Sequence, residues 1–413
     1  MTIFAPQERK RMRKIIFLFA ILFSSLAFAV TPEEALKELL ASPSLDPNQT
    51  AVYIRDIESD YMIVNHNGAR ALTPASVMKC VSVAGAKDHI PFTTSLVTTV
   101  MMSGDVRDGV LQGDLIVIGS GDPSLNDGRF KDQKDILVEI ADALQENGIT
   151  GILGSVIIDD SRFAGSPVPK SWQAGDLERD YGTGFHALNF EANKTGKAAV
   201  KNPANVFKSK LEKVLNERGI TLGKGEGAPA KAKREVLLTH FSPPIAKLME
   251  SCMFRSDNLY AEAFLRLMSK RNKTDGSPEQ AAEQAMRYWE SRGYPMTGVQ
   301  IVDGSGLSRN NSLTASFLAE VLLNNSNDPY YVSFFPLTGE EGTVRNFMKG
   351  TPLEGRLALK TGSMSGIQSY AGYLLDDDYA PTHVIVVMTN NLKNRENYRA
   401  ALGKFFSQIF LEN

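Results

Sequence analysis

Two kinds of apolar spacing alternate along the chain, and their order predicts its architecture. A helical spacing covers Pro32 to Leu40; two strand-like runs, Ala51 to Ile57 and Tyr61 to Asn65, then flank the polar turn Glu58-Ser59-Asp60 as a hairpin. Pro74 suits a first helical position, and Val77, Val81 and Ala84 continue an apolar face after it. From Phe92 the texture changes to short β runs and Gly/Asp turns: Thr94 to Met102, Gly109 to Ile118, Gly154 to Asp159 and Glu235 to His240, with helical spacing at Gln133 to Asn147 and Asn205 to Arg218. Three amphipathic stretches follow, at Pro244 to Phe254, Leu259 to Met268 and Pro278 to Arg292, then a Gly-rich loop within Ile301 to Asn311. Near the end come strand patterns at Arg356 to Thr361, Gln368 to Leu375 and His383 to Asn390, and a helix from about Asn394 to Phe410. The pattern predicts an α+β fold: an antiparallel sheet built from both chain ends and flanked by helices (30–90 plus 241–413), interrupted by a mixed α/β lobe at 91–240.

Composition changes this picture at the N-terminus. Arg9, Lys10, Arg11, Arg13 and Lys14 precede the apolar run Ile15 to Phe23 and then Ala27-Phe28-Ala29, the three parts of a secretory signal. Residues 1–29 are therefore expected to be a leader, cleaved after Ala29, that delivers the protein to the periplasm. No later stretch reaches the about 20 apolar residues of a membrane span. The whole chain carries −2; the leader accounts for +4 of its own, leaving −6 on the rest, which argues against a nucleic-acid binder.

Charge is uneven, however. Between Ala192 and Arg234 eleven Lys or Arg stand against Glu212, Glu217 and Glu226, a net of +8. A solvated helix face plus a basic loop is the plain reading; the sharper one is a weak, salt-sensitive contact with an anionic envelope polymer.

Cys80 and Cys252 are the only cysteines. In an oxidising compartment a bridge is open to them, but both sit where a small apolar side chain would serve, which favours buried free thiols. Neither has a histidine at metal spacing, and no metal or other cofactor is indicated. Gly119-Ser120-Gly121-Asp122-Pro123 lacks the spacing and following Lys of a nucleotide loop and reads as a turn.

Three polar motifs carry the chemistry. Ser76-Val77-Met78-Lys79 puts a hydroxyl and an amine three residues apart on one helical face, close enough for the amine to take the hydroxyl proton. Ser256-Asp257-Asn258 lies in a turn between two helices, and Lys360-Thr361-Gly362 on a strand. Taken singly, each has a structural explanation: a helix-start serine, a helix cap, a strand end. In this order and in these contexts, the three resemble the signature of class A β-lactamases and penicillin-binding proteins.

Beyond the trio, Gly121-Asp122-Pro123-Ser124-Leu125, Ser256-Asp257-Asn258-Leu259-Tyr260-Ala261-Glu262, Asp303-Gly304-Ser305-Gly306-Leu307-Ser308 and Lys360-Thr361-Gly362-Ser363 resemble peptidase family S13. These are D-alanyl-D-alanine carboxypeptidases/endopeptidases of the penicillin-binding protein 4 type. The resemblance covers most of the chain after the leader. It implies a β-lactamase/transpeptidase-like catalytic domain and a serine peptidase acting on peptidoglycan peptides that end in D-Ala-D-Ala, with β-lactams as covalent inhibitors. It implies Ser76 as nucleophile, Lys79 as its base, Ser256 as proton relay and Asn258 as holder of the substrate amide and of Lys79. Lys360 and Thr361 would bind the terminal carboxylate, Gly362 would let substrate lie along the strand, and the N–H groups of Ser76 and Ser363 would form the oxyanion hole. One departure is visible: Ser76 and Ser256 are 180 residues apart, too few for the two extra lobes usual in the family, so the second is reduced to about Asn193 to Asn202.

Three rivals share features with this reading. A β-lactamase would need a deacylating glutamate after the second motif, and none is assignable. A non-catalytic wall-binding protein would be expected to have lost Ser76, Lys79 or Lys360. A secreted esterase would carry its serine in G-x-S-x-G, which Ser76 does not.

Overall fold

The computed structural model describes residues 30–223, 227 and 232–412; the expected leader lies outside them. A five-stranded antiparallel sheet runs in the order Leu357–Met364, Ile367–Leu375, Pro381–Thr389, Thr50–Asp56, Met62–His66. The chain's two ends thus meet, with Tyr53 opposite Val386. Side chains alternate between the faces of a strand, and here both faces are covered. Ala51, Tyr53, Tyr373, Val384, Val386 and Met388 face one core with the central helices. Val52, Ile54, Leu357, Leu359, Ile385 and Val387 face another, closed by helices Pro32–Leu40 and Arg395–Leu411. Burial on both sides explains why Val384 to Met388 is an unbroken apolar run.

Helix Met78–His89 is enclosed in the first core, with every residue from Met78 to Ala86 buried. Pro74 is not its first residue: a 3₁₀ turn, Ala75–Val77, intervenes, and Ala75 adopts a left-handed φ of 51°. Helix Asn258–Arg271 packs against it, buried from Leu259 to Ser269. Two helices that the apolar spacing did not predict, Ala315–Leu323 and Pro329–Ser333, begin at Thr314 and Asp328, whose side chains accept from Phe317 N and from Tyr330 and Tyr331 N.

Within 91–240 a second sheet runs Arg234–Phe241, Val97–Ser103, Asp114–Ile118, Val156–Asp159, the last pair parallel. It shares a separate core with helices Ile136–Glu146 and Pro203–Glu217, through Val117, Ile140, Phe207 and Leu211. The expected strand Gly109 to Ile118 is broken at Gln112-Gly113; Val110–Leu111 instead joins a small sheet with Val106–Arg107, Gly151–Ile152 and Thr221–Leu222. In the tract 193–202, Lys194–Thr195 and Ala198–Ala199 pair as a short hairpin.

Candidate active site

Three separate stretches of chain bring their polar groups to one point because each is anchored in the first core. The Lys79 side chain is fully buried, and its Nζ lies 2.9 Å from Ser76 Oγ, 2.7 Å from Asn258 Oδ1 and 2.6 Å from the Ser305 carbonyl. Burial disfavours its charge and lowers its pKa; Cys252, Asp303, Asp257 and Glu262 oppose the shift.

Strand alternation puts Lys360 on the same face as Ala358, toward the helices. It is also fully buried, and its Nζ donates to Ser256 Oγ at 2.8 Å and to the Thr361 carbonyl at 2.7 Å. Its pKa is pushed down to about 7, first by burial and then by the charge on Lys79. Ser256 ends helix Ile245–Arg255 in the left-handed conformation, φ 59°, and so turns the chain before Asp257 caps the next helix. Asn258 faces Lys79 with its oxygen, while its Nδ2 donates to the Tyr181 carbonyl at 2.8 Å.

The remaining strand residues stand differently. Thr361 Oγ1 donates to Thr343 Oγ1 at 2.8 Å. Gly362 is required by the protein's own backbone: a Cβ there would lie 2.6 Å from the Pro74 carbonyl and 3.1 Å from Ser76 N. The strand and the Ser76 turn are thus pressed together, which leaves Ser76 only partly exposed and Ser363 exposed at the strand's outer end.

The carbonyl that holds Lys79 belongs to a loop which is itself tied down. Glu262 accepts from Gly304 N (3.0 Å) and Ser305 N (2.8 Å); Asp303 accepts from Gly306 N, Ser308 N, Asn311 Nδ2 and Trp172 Nε1. Glu262 is buried, and burial followed by the charge of Asp303 raises its pKa to about 7. The apolar pattern carried no signal for Ser305, Glu262 or Asp303 as site residues, because their contributions are a carbonyl and two loop ties. Their presence in the quoted motifs was the one available sign. Cys80 and Cys252 are both buried and free, and Cys252 Sγ contacts the Asp257 carbonyl at 3.4 Å.

A fully buried lysine on a serine, a second buried lysine on another serine, and an Asn between them on a sheet-and-helix scaffold define a serine acyl-transfer enzyme of the penicillin-recognising class. The model of the D-Ala-D-Ala carboxypeptidase 3 (S13) family matches residues 33–198 and 192–408, and the chain belongs to that family. It is 22% identical to the D-alanyl-D-alanine carboxypeptidase DacB of Haemophilus influenzae, over 87% of this chain and 88% of that one. To the D-alanyl-D-alanine carboxypeptidase of Actinomadura sp. (strain R39) it is 24% identical, over 83% and 78%. Its fold is similar to the crystal structure of penicillin binding protein 4 from H. influenzae, with a TM-score of 0.78 at 20% identity over 91% of this chain and 97% of that one. The expected β-lactamase/transpeptidase-like architecture and the peptidase class are therefore those of this protein, and the peptidase reading stands over its rivals.

Proposed function

We propose that Ser76 is the nucleophile of a serine D-Ala-D-Ala carboxypeptidase and/or D,D-endopeptidase acting on peptidoglycan stem peptides. The observation that carries the assignment is the contact of a fully buried Lys79 amine with Ser76 Oγ at 2.9 Å. Burial disfavours the charged form of the amine, so it can take the hydroxyl proton as Ser76 Oγ bonds to the carbonyl carbon of the penultimate D-alanine. The tetrahedral oxyanion would be held by the N–H groups of Ser76 and Ser363, each such donor typically contributing about 3 kcal/mol in the transition state. Support for that pairing comes from the press of the Gly362 strand against the Ser76 amide.

As the C–N bond breaks, the leaving amine takes a proton through Ser256, which contacts Lys360 at 2.8 Å; water then releases the acyl group from Ser76. Lys360, with Thr361 released from Thr343, would grip the terminal carboxylate. Asn258 would present its Nδ2 to the substrate amide once the Tyr181 carbonyl yields it. A β-lactam acylates the same serine. Its partners are thus wall peptides and β-lactams, no cofactor takes part, and the site of action is the periplasm, reached through the leader 1–29.

The basic stretch 192–234 keeps at most a weak polymer contact. Lys201 meets Glu178 at 2.5 Å, Lys210 meets Glu191 at 2.5 Å and Arg218 meets Asp142 at 2.8 Å, so part of its charge is locally matched.

The test is labelling with a fluorescent penicillin. The wild type should form a covalent adduct and Ser76→Ala none; an undiminished adduct on the variant would remove Ser76 from its role. Mass analysis of wall peptides after digestion then separates loss of a terminal D-alanine from cleavage of cross-links.

A further inference from the structure

The turn that carries Ser256 and Asn258 is held from outside the sheet-and-helix unit. Asp257, between those two residues, accepts from Tyr260 N at 3.4 Å as the cap of helix Asn258–Arg271, and its other oxygen receives Arg129 Nη1 at 2.7 Å. Arg129 comes from the 91–240 lobe. Its Nε donates to Asp127 Oδ1 at 2.5 Å, its guanidinium lies 4.5 Å from the centroid of the Tyr260 ring, and the Tyr260 hydroxyl closes the circuit by donating to Asp127. All four side chains are buried or nearly so: Asp127 keeps 3% of its side-chain exposure and Arg129 and Asp257 15% each. A guanidinium suits this place because its flat fork reaches two carboxylates while its face covers a ring.

The same contact bears on the charge around Lys79. Lys79 is faced by Ser76 and Cys80 from its own helical segment, Cys252 from helix Ile245–Arg255, Asp257 and Glu262 from the turn and helix after it, Asp303 from the Gly-rich loop, and Lys360 from the strand. Two of the three carboxylates are tied to neutral donors, Glu262 to backbone N–H groups and Asp303 to N–H groups and an amide. Asp257 is the one held directly by a cation.

We propose that Arg129 is a positioning residue of the reaction: it fixes the Ser256-Asp257-Asn258 turn against the Lys79 and Lys360 amines and neutralises Asp257, so the 91–240 lobe completes a site that the sheet-and-helix unit leaves unbraced. The inference rests on the reading of Ser76 and Lys79 above. Without Arg129, the Asp257 charge acts on Lys79 uncompensated and holds its proton to higher pH.

The test follows acylation by a fluorescent penicillin against pH in the full-length protein, with thermal melting alongside. Arg129→Gln should acylate about tenfold more slowly, a modest displacement of catalytic groups being enough for that. Its ascending limb should move up by roughly one pH unit, as for the loss of a nearby compensating charge. Arg129→Lys should recover part of the rate. In Arg129→Gln/Asp257→Asn, where the uncompensated charge is also gone, the limb should return toward wild type even if the rate does not. A wild-type profile in Arg129→Gln overturns the proposal. So does a loss that is uniform in pH, tracks the melting temperature and persists in the lysine variant, because that outcome is structural alone. Should Arg129→Gln not fold, Asp257→Asn decides by itself: its limb should move down in pH, and an unmoved limb overturns the proposal. Failure of the nucleophile assignment would appear separately, as an adduct on Ser76→Ala.

Discussion

At the scale of single residues, the proposed chemistry depends on two lysines that burial has made weaker bases than lysine ordinarily is. In the proposed mechanism Lys79 serves as a base only when neutral, and Lys360 serves as a carboxylate grip only when charged, so one pH range must satisfy both. For a peptide ending in D-alanine, kcat/KM should show a descending limb as pH rises past about 7, where Lys360 in the free protein loses the charge that would grip the carboxylate. Lys360→Arg should remove the descending limb, since a guanidinium keeps its charge throughout, although its fork will fit the site less well. A descending limb unchanged in that variant would assign it to another group.

At the scale of elements, the decisive contact is between the Lys360 strand and the Ser76 turn. In the sequence reading, Gly362 made room for substrate. In the structure its missing side chain makes room for Pro74, Ser76 and Val77 of the same chain. All three neighbouring atoms are backbone, so none can rotate away from an added methyl group. Gly362→Ala should therefore cost about 1–3 kcal/mol of stability, as overpacking does. Acylation should fall by about a hundredfold, because the strand and turn are forced apart where the oxyanion donors must converge. Urea unfolding and penicillin labelling measure the two effects; wild-type acylation in a folded Gly362→Ala would show that the close approach does not set the site.

At the scale of the whole molecule, the site draws on stretches far apart in the chain. The five-stranded sheet and the helices around it supply the amines and hydroxyls, while residues 91–240 supply Arg129 and the Tyr181 carbonyl that meets Asn258. The two cysteines take part in neither link and lie free inside the first core. Both thiols are fully buried and pushed up to about 12, first by that burial. The native protein should thus be inert to a thiol reagent near neutral pH, and the denatured, unreduced protein should titrate two thiols. Finding none after denaturation would mean a bridge between Cys80 and Cys252.

The sequence by itself determined what depends on short-range pattern. Period-two and period-3.6 spacing located the main strands and most helices. The three motifs named Ser76, Lys79, Ser256, Asn258 and Lys360, and the structure brings these five together. It missed helix Ala315–Leu323, whose start is marked by Thr314 and not by amphipathic contrast, since nearly all its residues are apolar. Tertiary structure alone decided which partner each polar group meets. That Ser305 offers a carbonyl to Lys79, that Glu262 and Asp303 pin the loop bearing it, and that Arg129 reaches Asp257 across 128 positions are facts of chain crossing. No local spacing encodes them, because burial and charge act through space and the residues that share them are far apart in the chain.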